Sequence, residues 1–344
     1  MRRRPSKRGA LRRVDVFLVT LLVIVLSLMK AYFEPEEVSF QQKSQDSQYV
    51  RTMGTPLADK LRAQQLPPKD AASLRFMMYN VKNYFVAGEP QRTRYRLYLK
   101  SEKSRDAVAD VIAHAQPEVL GLIEMGGKLA LEDLRQRLQK RGLDYPYFRI
   151  LERHGDDRAL ALLSQHPIVR DHSRAHYGLY GNQKRRLLRG ILDLEVQLDD
   201  GRVFCIVGAH LKSRVSDEPA EARSLRAKEA QTIAMYLHER MKDNPSLPIL
   251  VFGDWNDGPA DASLGVLSQG VRAASALTRV EAQDDSGAEW TLYYREGKEY
   301  LIFDQIYLNE VLKNRVKSKL ASGVIDLPAT KTASDHRPVW CEIR

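Results

Sequence analysis

Cysteine is scarce in this chain. Its 344 residues hold two, Cys205 and Cys341, each inside an apolar run that reads as a strand. No CxxC pair or Cys/His spacing is present, so nothing suggests a structural zinc site. Two buried thiols or a single disulfide both fit, because sequence cannot place the sulfurs together. Internal repeats and low-complexity tracts are also lacking. With hydrophobic residues at 43%, the chain has too much apolar content for a disordered protein and enough for a sizeable core. Acidic residues are missing from positions 1–13, where seven basic residues stand: Arg2, Arg3, Arg4, Lys7, Arg8, Arg12 and Arg13. Those seven take most of the formal charge of +10 and leave +3 for everything after them. The globular part is therefore near neutral, and net charge says little about a polyanion partner.

After the basic block comes an apolar one. Val16–Met29 is interrupted only by Thr20 and Ser27, and Ala31–Phe33 extends it past Lys30. A membrane span needs about 20 such residues, so this one is short, with Lys30 able to snorkel. The positive-inside rule keeps the basic tail in the cytoplasm. The expectation is a cytoplasmic tail at 1–13, a single-pass anchor at 14–33, and an extracytoplasmic domain. A cleaved signal peptide and secretion are the alternative; a buried core helix would not carry so many flanking charges. Residues 34–73 read as a polar, proline-punctuated linker, with a short helix near Leu57–Gln65. Flexible chain of that length spans roughly 35 Å on average. The globular domain is expected at 74–344.

Strands and helices mix from there on. Leu74–Val81, Val119–Ile123 and Ala159–Leu163 read as strands. Ser104–Ala115 has the apolar spacing of a helix face, and Leu129–Arg141 is a second helix closed by Gly142. Ile191–Leu198 and Val203–Ala209 flank Asp199-Asp200-Gly201, a hairpin signal. Pro219–Lys242 is a long helix. Ile249–Gly253, Trp290–Tyr294, Leu301–Leu308 and Pro338–Ile343 complete the strands. The pattern predicts two packed mixed sheets with helices outside.

Polar groups punctuate the strand ends. Asn80 lies near the end of the first strand, Glu124 follows Val119–Ile123, His210 follows Val203–Ala209, and Asp254 and Asn256 follow Ile249–Gly253. Each alone has a plain reading as a turn former, a cap or a surface histidine. Asp304 is harder to dismiss, because a carboxylate in so apolar a run costs several kcal/mol unless paired. Asp335-His336 opens the last strand with an acid beside an imidazole.

Together these groups suit phosphoester cleavage, which needs a cation against the phosphate, a base for water, and fixed donors. Glu124 and Asp335 offer oxygen ligands for Mg²⁺ or Mn²⁺, with Asn80 beside them. Asp254 and Asn256, at i and i+2, project to one side if the chain is extended. One accepts a proton from water while the other donates to a phosphate oxygen. His336 oriented by Asp304 is a protonated donor, and His210 is a second.

The ordered series Tyr79-Asn80-Val81-Lys82-Asn83, Leu122-Ile123-Glu124, Ala209-His210-Leu211-Lys212-Ser213, Gly253-Asp254-Trp255-Asn256-Asp257, Phe303-Asp304-Gln305-Ile306 and Ser334-Asp335-His336-Arg337-Pro338-Val339 resembles the motifs of the endonuclease/exonuclease/phosphatase superfamily. The resemblance implies a four-layer α/β/β/α sandwich with the site at one end of the paired sheets, and the same roles at these positions. Ile123 stands where many members have glutamine, and Trp255 where many have phenylalanine; neither changes a reacting group. Asp157-Arg158-Ala159-Leu160 precedes a strand end where relatives often carry a polar active-site residue, a looser match.

Substrate is less defined. The superfamily includes enzymes for DNA, RNA, inositol phosphates and sphingomyelin-type lipids. Arg92, Arg94, Arg96, Lys100, Lys103 and Arg105 form one basic cluster, with Tyr95 and Tyr98 interleaved for stacking on bases. Lys184, Arg185, Arg186 and Arg189 form another. No long apolar hairpin of a lipid-inserting enzyme stands out. A nuclease-like phosphodiesterase is expected, with a phospholipid or inositol-phosphate phosphoesterase as the alternative. A non-catalytic tethered binding module is disfavoured because no motif residue is missing.

Overall fold

The computed structural model describes residues 64, 66–69, 73–89, 98–153, 156–316 and 320–343. Side-chain alternation sets the layers. In Leu74–Tyr84 (β1), Phe76 and Met78 turn to one face and Met77 and Tyr79 to the other, and all four are buried. A strand covered on both faces belongs inside a stack. It lies within a six-stranded sheet ordered Ser322–Val324 (β15), Val339–Ile343 (β16), β1, Val119–Met125 (β2), Asp156–Ser164 (β4) and Tyr147–Arg153 (β3). A second six-stranded sheet runs Leu277–Arg279 (β11), Asp304–Asn309 (β14), Ile249–Asp254 (β10), Val203–His210 (β9), Leu192–Gln197 (β8) and Ile168–Asp171 (β5). In each sheet one pair is parallel, β1 with β2 and β9 with β10. Two small hairpins stand apart: Gly178–Leu179 (β6) with Asn182–Arg186 (β7), and Leu292–Tyr294 (β12) with Glu299–Leu301 (β13).

Three apolar clusters mark the three interfaces of the four layers. Phe76, Met78, Leu160 and Leu162 of the first sheet meet Leu194, Ile206, Leu250, Phe252 and Ile306 of the second. Glu102–Ala115 (α1) and Lys128–Gln139 (α2) cover the outer face of the first sheet through Val108, Ile112, Leu131 and Leu134. Pro219–Asp243 (α3) covers the second through Ala230, Ile233 and Leu237. Ser101 caps α1, its hydroxyl accepting from the Ser104 amide at 3.2 Å. Proline at the start of α3 loses no helix hydrogen bond there.

Phe252 sets the sheet spacing. A Cβ added to Gly121 of β2 or to Gly208 of β9 would stand 2.6 Å from its ring, so only glycine fits at either place. Both cysteines are buried as free thiols, Cys341 between the sheets and Cys205 under α3.

Most expected elements are present with ends shifted by a few residues. Leu301–Leu308 differs, because the chain leaves one hairpin and enters another sheet at Ile302–Phe303. Leu301 pairs with Leu292, while the amides of Phe303 and Asp304 both donate to the Thr291 hydroxyl oxygen at 3.0 Å. Asp304 thus opens a strand instead of interrupting one. Gln64, placed in the expected linker, is buried; its side-chain amide donates to the Val324 carbonyl at 3.0 Å, and its carbonyl accepts from the Asp326 amide at 3.0 Å. The anchor expected at 14–33 and most of the short helix near Leu57–Gln65 lie outside the described residues. Among the described residues no helix is long and apolar enough to cross a membrane.

Candidate active site

Strand direction gathers the polar groups at one edge. Since β9 and β10 are parallel, their last residues, His210 and Asp254, are neighbours across the sheet. Antiparallel β14 then brings its first residue, Asp304, opposite Asp254. Three functional side chains therefore come from consecutive strands on one rung. In the facing sheet, Asn80 of β1 sits opposite Ile123 of β2, next to Glu124. Both strands are irregular there. Glu124 has φ 61°, at a bulge against β4, and Lys82 and Asn83 have φ 44° and 47° where β1 shifts register. Left-handed backbone at non-glycine residues costs on the order of 1–3 kcal/mol each and is characteristic of functional sites.

Asp254 is the hub. Its Oδ2 accepts from Asn80 Nδ2 at 2.9 Å, lies 3.6 Å from His210 Nε2 and 3.9 Å from His336 Nε2. Burial, then the nearby Asp304 and Glu124 carboxylates, push its pKa up to about 7, outweighing the pull of His336 and of the Asn256 amide.

His336 behaves oppositely. Burial pulls it down, but Asp304, with Oδ2 2.7 Å from Nδ1, wins with help from Asp254 and Asp335, so its pKa rises to about 10. At neutral pH it is an imidazolium. Ser334 fixes the loop: its hydroxyl donates to the Asn80 carbonyl at 2.8 Å and accepts from the His336 amide at 3.1 Å. His210 is held neutral, first by burial and then by Arg189, Arg158 and His336. Its Nε2 faces Asp254 and, at 4.0 Å, Glu124; a hydrogen on that nitrogen suits both carboxylates.

Glu124 and Asp335 flank this core. Glu124 Oε2 accepts from the Asn83 amide at 3.1 Å and lies 3.5 Å from Arg158 Nε. Asp335 Oδ2 lies 2.5 Å from Lys82 Nζ, and Oδ1 lies 4.0 Å from His336 Nε2. Burial raises the Asp335 pKa, but His336 and Lys82 prevail and hold it below the ordinary value. Two partly buried carboxylates, the Asp335 side chain 25% and the Glu124 side chain 12% exposed, offer oxygen ligands that fit a hard divalent cation. Asp254, Asp304 and His336 also place one potential ligand atom each within 4.8 Å of one another. A protonated imidazole is no ligand, however, so that trio serves better as donor and base.

All eight expected residues meet here, one by a different route. Asn256 is not extended, as the i, i+2 argument requires, but left-handed at φ 51°. Trp255 is wholly buried, with Nε1 donating to the Gln305 carbonyl at 3.2 Å, so β10 stops and the chain turns. The Asn256 amide donates to Asp254 Oδ1 at 3.0 Å, and Nδ2 donates to the Leu211 carbonyl at 3.1 Å. The motif is a turn, and that turn sets the Asn256 side chain beside Asp254. Asn80 Oδ1 accepts from the Lys82 amide at 3.0 Å, so this side chain orients Asp254 and shapes the bulge together.

Three cations stand beside the carboxylates where the sequence pattern does not place them, Lys100 among them although it belongs to the first basic cluster. Arg158, only loosely matched, reaches Glu124 and donates to Asn83 Oδ1 at 2.8 Å. Lys82, in the Tyr79–Asn83 segment, reaches Asp335. Lys100 donates to the Lys82 carbonyl at 3.2 Å, and burial lowers its pKa to about 8, with Lys82 adding to this and Asp335 and Glu124 opposing. Of the first basic cluster, Arg92, Arg94, Tyr95 and Arg96 lie outside the described residues, and Arg105 is paired with Asp133 at 2.5 Å. In the second, Lys184, Arg185 and Arg186 are exposed on β7, while Arg189 is buried and donates to the Leu211 carbonyl at 3.0 Å.

Comparison with known proteins agrees with this geometry. Residues 79–336 match the profile of the Endonuclease/Exonuclease/phosphatase family. No curated protein matches the chain by sequence. Among solved structures, the human Nocturnin catalytic domain with bound sulfate is similar at TM-score 0.53 and 17% identity, over 79% of this chain and 94% of that one. Truncated Caenorhabditis elegans TDP2 is similar at 0.54 and 17%, over 79% and 97%. D. rerio TDP2 complexed with a single-strand DNA product is similar at 0.54 and 15%, over 79% and 99%. These likenesses establish the fold, and the profile spanning the whole motif series shows that the chain belongs to the Endonuclease/Exonuclease/phosphatase family.

Proposed function

We propose that the protein is a Mg²⁺- or Mn²⁺-dependent phosphodiesterase of nuclease type. The observation that carries this reading is Asp254. It is a buried carboxylate tuned to about 7, within reach of an amide, a neutral imidazole and an imidazolium. A base with its pKa near the working pH is what water activation requires.

In this reading Asp254 takes the proton from water as the water oxygen bonds to phosphorus and the phosphorus–oxygen bond to the leaving group breaks. His336, kept charged and oriented by Asp304, donates to a non-bridging oxygen. His210 donates from Nε2 without adding charge. Asn80 orients Asp254, and the Asn256 amide hydrogen not directed at Leu211 is available to the phosphate. Glu124 and Asp335 would hold the cation, which supplies charge neutralisation on the phosphate.

A nucleic-acid substrate is supported by three observations. A fold neighbour was solved with a single-strand DNA product, Lys184–Arg186 present an exposed basic strand, and Tyr98 is 72% exposed. The basic tail and apolar stretch of residues 1–33 support attachment to a membrane by that segment. Cleavage of labelled oligonucleotides tests the reading. Asp254→Asn should lose about 10²–10⁴ in rate, the usual worth of a general base. A folded variant with near-normal rate, or a wild-type protein inert to every phosphodiester offered, contradicts it.

A further inference from the structure

Both carboxylates assigned to the cation already face a cation of the protein. Glu124 has Arg158, 3.5 Å away, mostly buried and donating to Asn83. Asp335 has Lys82, 2.5 Å away, with half of its side chain exposed. The two differ in freedom. Arg158 sits within β4 and is bound into the site wall. Lys82 projects from a left-handed bulge, and its half-exposed side chain is not bound into the wall.

The backbone that carries Lys82 is fixed from both sides. Its amide donates to Asn80 Oδ1 at 3.0 Å, and its carbonyl accepts from Lys100 Nζ at 3.2 Å. The adjoining Asn83 amide donates to Glu124 at 3.1 Å. One short, strained segment thus organises both carboxylates, one through an N–H and the other through an ammonium. A segment held in sparsely populated backbone space is over-determined by its surroundings, which here are the site itself.

We propose that Lys82 is a resident counter-cation for Asp335: its ammonium pairs with a carboxylate oxygen of the site at 2.5 Å, and a divalent ion that takes that oxygen must displace it. The inference rests on the metal reading of Glu124 and Asp335. Two unit charges this close interact strongly even at a partly exposed position. The ammonium and the divalent ion therefore compete for one carboxylate. A freed Lys82 would stay tethered beside the site, within reach of an anionic substrate.

Mn²⁺ binding to the full chain, without substrate and followed by electron paramagnetic resonance, separates the possibilities. Lys82→Met and Lys82→Gln should each bind Mn²⁺ about tenfold more tightly than wild type, since a competing charge is gone. Lys82→Arg should bind much as wild type, because the charge remains. Asp335→Asn should bind far more weakly. If Asp335→Asn leaves Mn²⁺ affinity intact, the metal reading itself fails. If Asp335→Asn weakens binding while Lys82→Met and Lys82→Gln bind no tighter than wild type, the metal reading stands and the counter-cation is wrong. Circular dichroism confirms the fold of each variant, and using both Lys82 substitutions guards against a misfolding artefact in one.

Discussion

Asp304 shows how a buried charge becomes a working one. Its Oδ2 holds His336 Nδ1 at 2.7 Å while the peptide N–H of Asp304 is tied to Thr291. Asp304→Asn keeps the size and removes the charge that makes His336 an imidazolium. We expect Asp304→Asn and His336→Ala each to lose about 10²–10⁴ in hydrolysis rate. The double variant should lose little more than the worse single one, because the pair acts as a unit. Steady-state rates of the four proteins decide this; losses that multiply would make Asp304 a purely structural carboxylate.

A second residue-scale pair lies behind the site. Arg337, 2% exposed, holds Asp284 at 2.6 Å and Asp326 at 3.3 Å, with its guanidinium 3.5 Å over the Trp290 ring. Burial raises the Asp284 pKa, but the Ser286 and Arg337 hydrogen bonds overcome it and hold the carboxyl below its usual range. Burial lowers Arg337 more than its acidic neighbours restore, yet a guanidinium stays charged at any pH used here. A depressed carboxylate stabilises the fold above its unfolded pKa of about 3.9, and that contribution is lost as pH falls through the lower folded value. Asp284→Asn should therefore cost about 2–3 kcal/mol at pH 7. The gap from wild type in urea unfolding should narrow below pH 4. A gap that is the same at pH 7 and pH 3.5 contradicts this.

Residue identity was legible wherever chemistry left few alternatives. Asp304 in an apolar run demanded a partner, and the partner is His336. The placement of Lys82, Arg158 and Lys100 beside the carboxylates was not legible, because a cation near a strand end is indistinguishable from a solvated surface charge until the facing strand is placed.

At the scale of elements, one phenylalanine lies closely against glycines of both sheets. Phe252 packs on Phe76 with ring centroids 5.4 Å apart and occupies the space left by Gly121 and Gly208. Gly121→Val would force its ring aside in a closed interior, and overpacking of this kind costs about 1–3 kcal/mol. We expect a thermal midpoint several degrees lower, and partial recovery on adding Phe252→Leu. An unchanged midpoint in the single variant would show that the interior yields freely. Apolar pattern announced the long elements: β1 and β2 are near-continuous apolar runs buried on both faces, and α1 is buried along one regular face. Short edge strands such as β5, β11 and β15 were invisible: they pair through backbone atoms, and β5 buries almost nothing. The break at Ile302–Phe303 was hidden for a related reason, because apolar residues that change sheets look like a continuous strand.

At the scale of the whole molecule, the family match accounts for residues 79–336, and the basic and apolar stretches of residues 1–33 stand outside it. If 14–33 is an uncleaved anchor, the full-length protein should stay with membranes through carbonate extraction. A soluble mature form beginning near residue 32 would show a cleaved signal instead. The four-layer plan was legible in the order of the elements and the motif series. The site's place at one end of the paired sheets followed from the motif series too, but the register within it did not, because it depends on which strands run parallel: only parallel β9 and β10 bring His210 and Asp254 side by side. The central claim is that this edge performs metal-assisted hydrolysis. Its most direct test is oligonucleotide cleavage by the purified protein in excess EDTA, then after Mg²⁺ or Mn²⁺ is returned. The account predicts that cleavage stops with chelator and resumes with metal, and undiminished cleavage in excess chelator would contradict it.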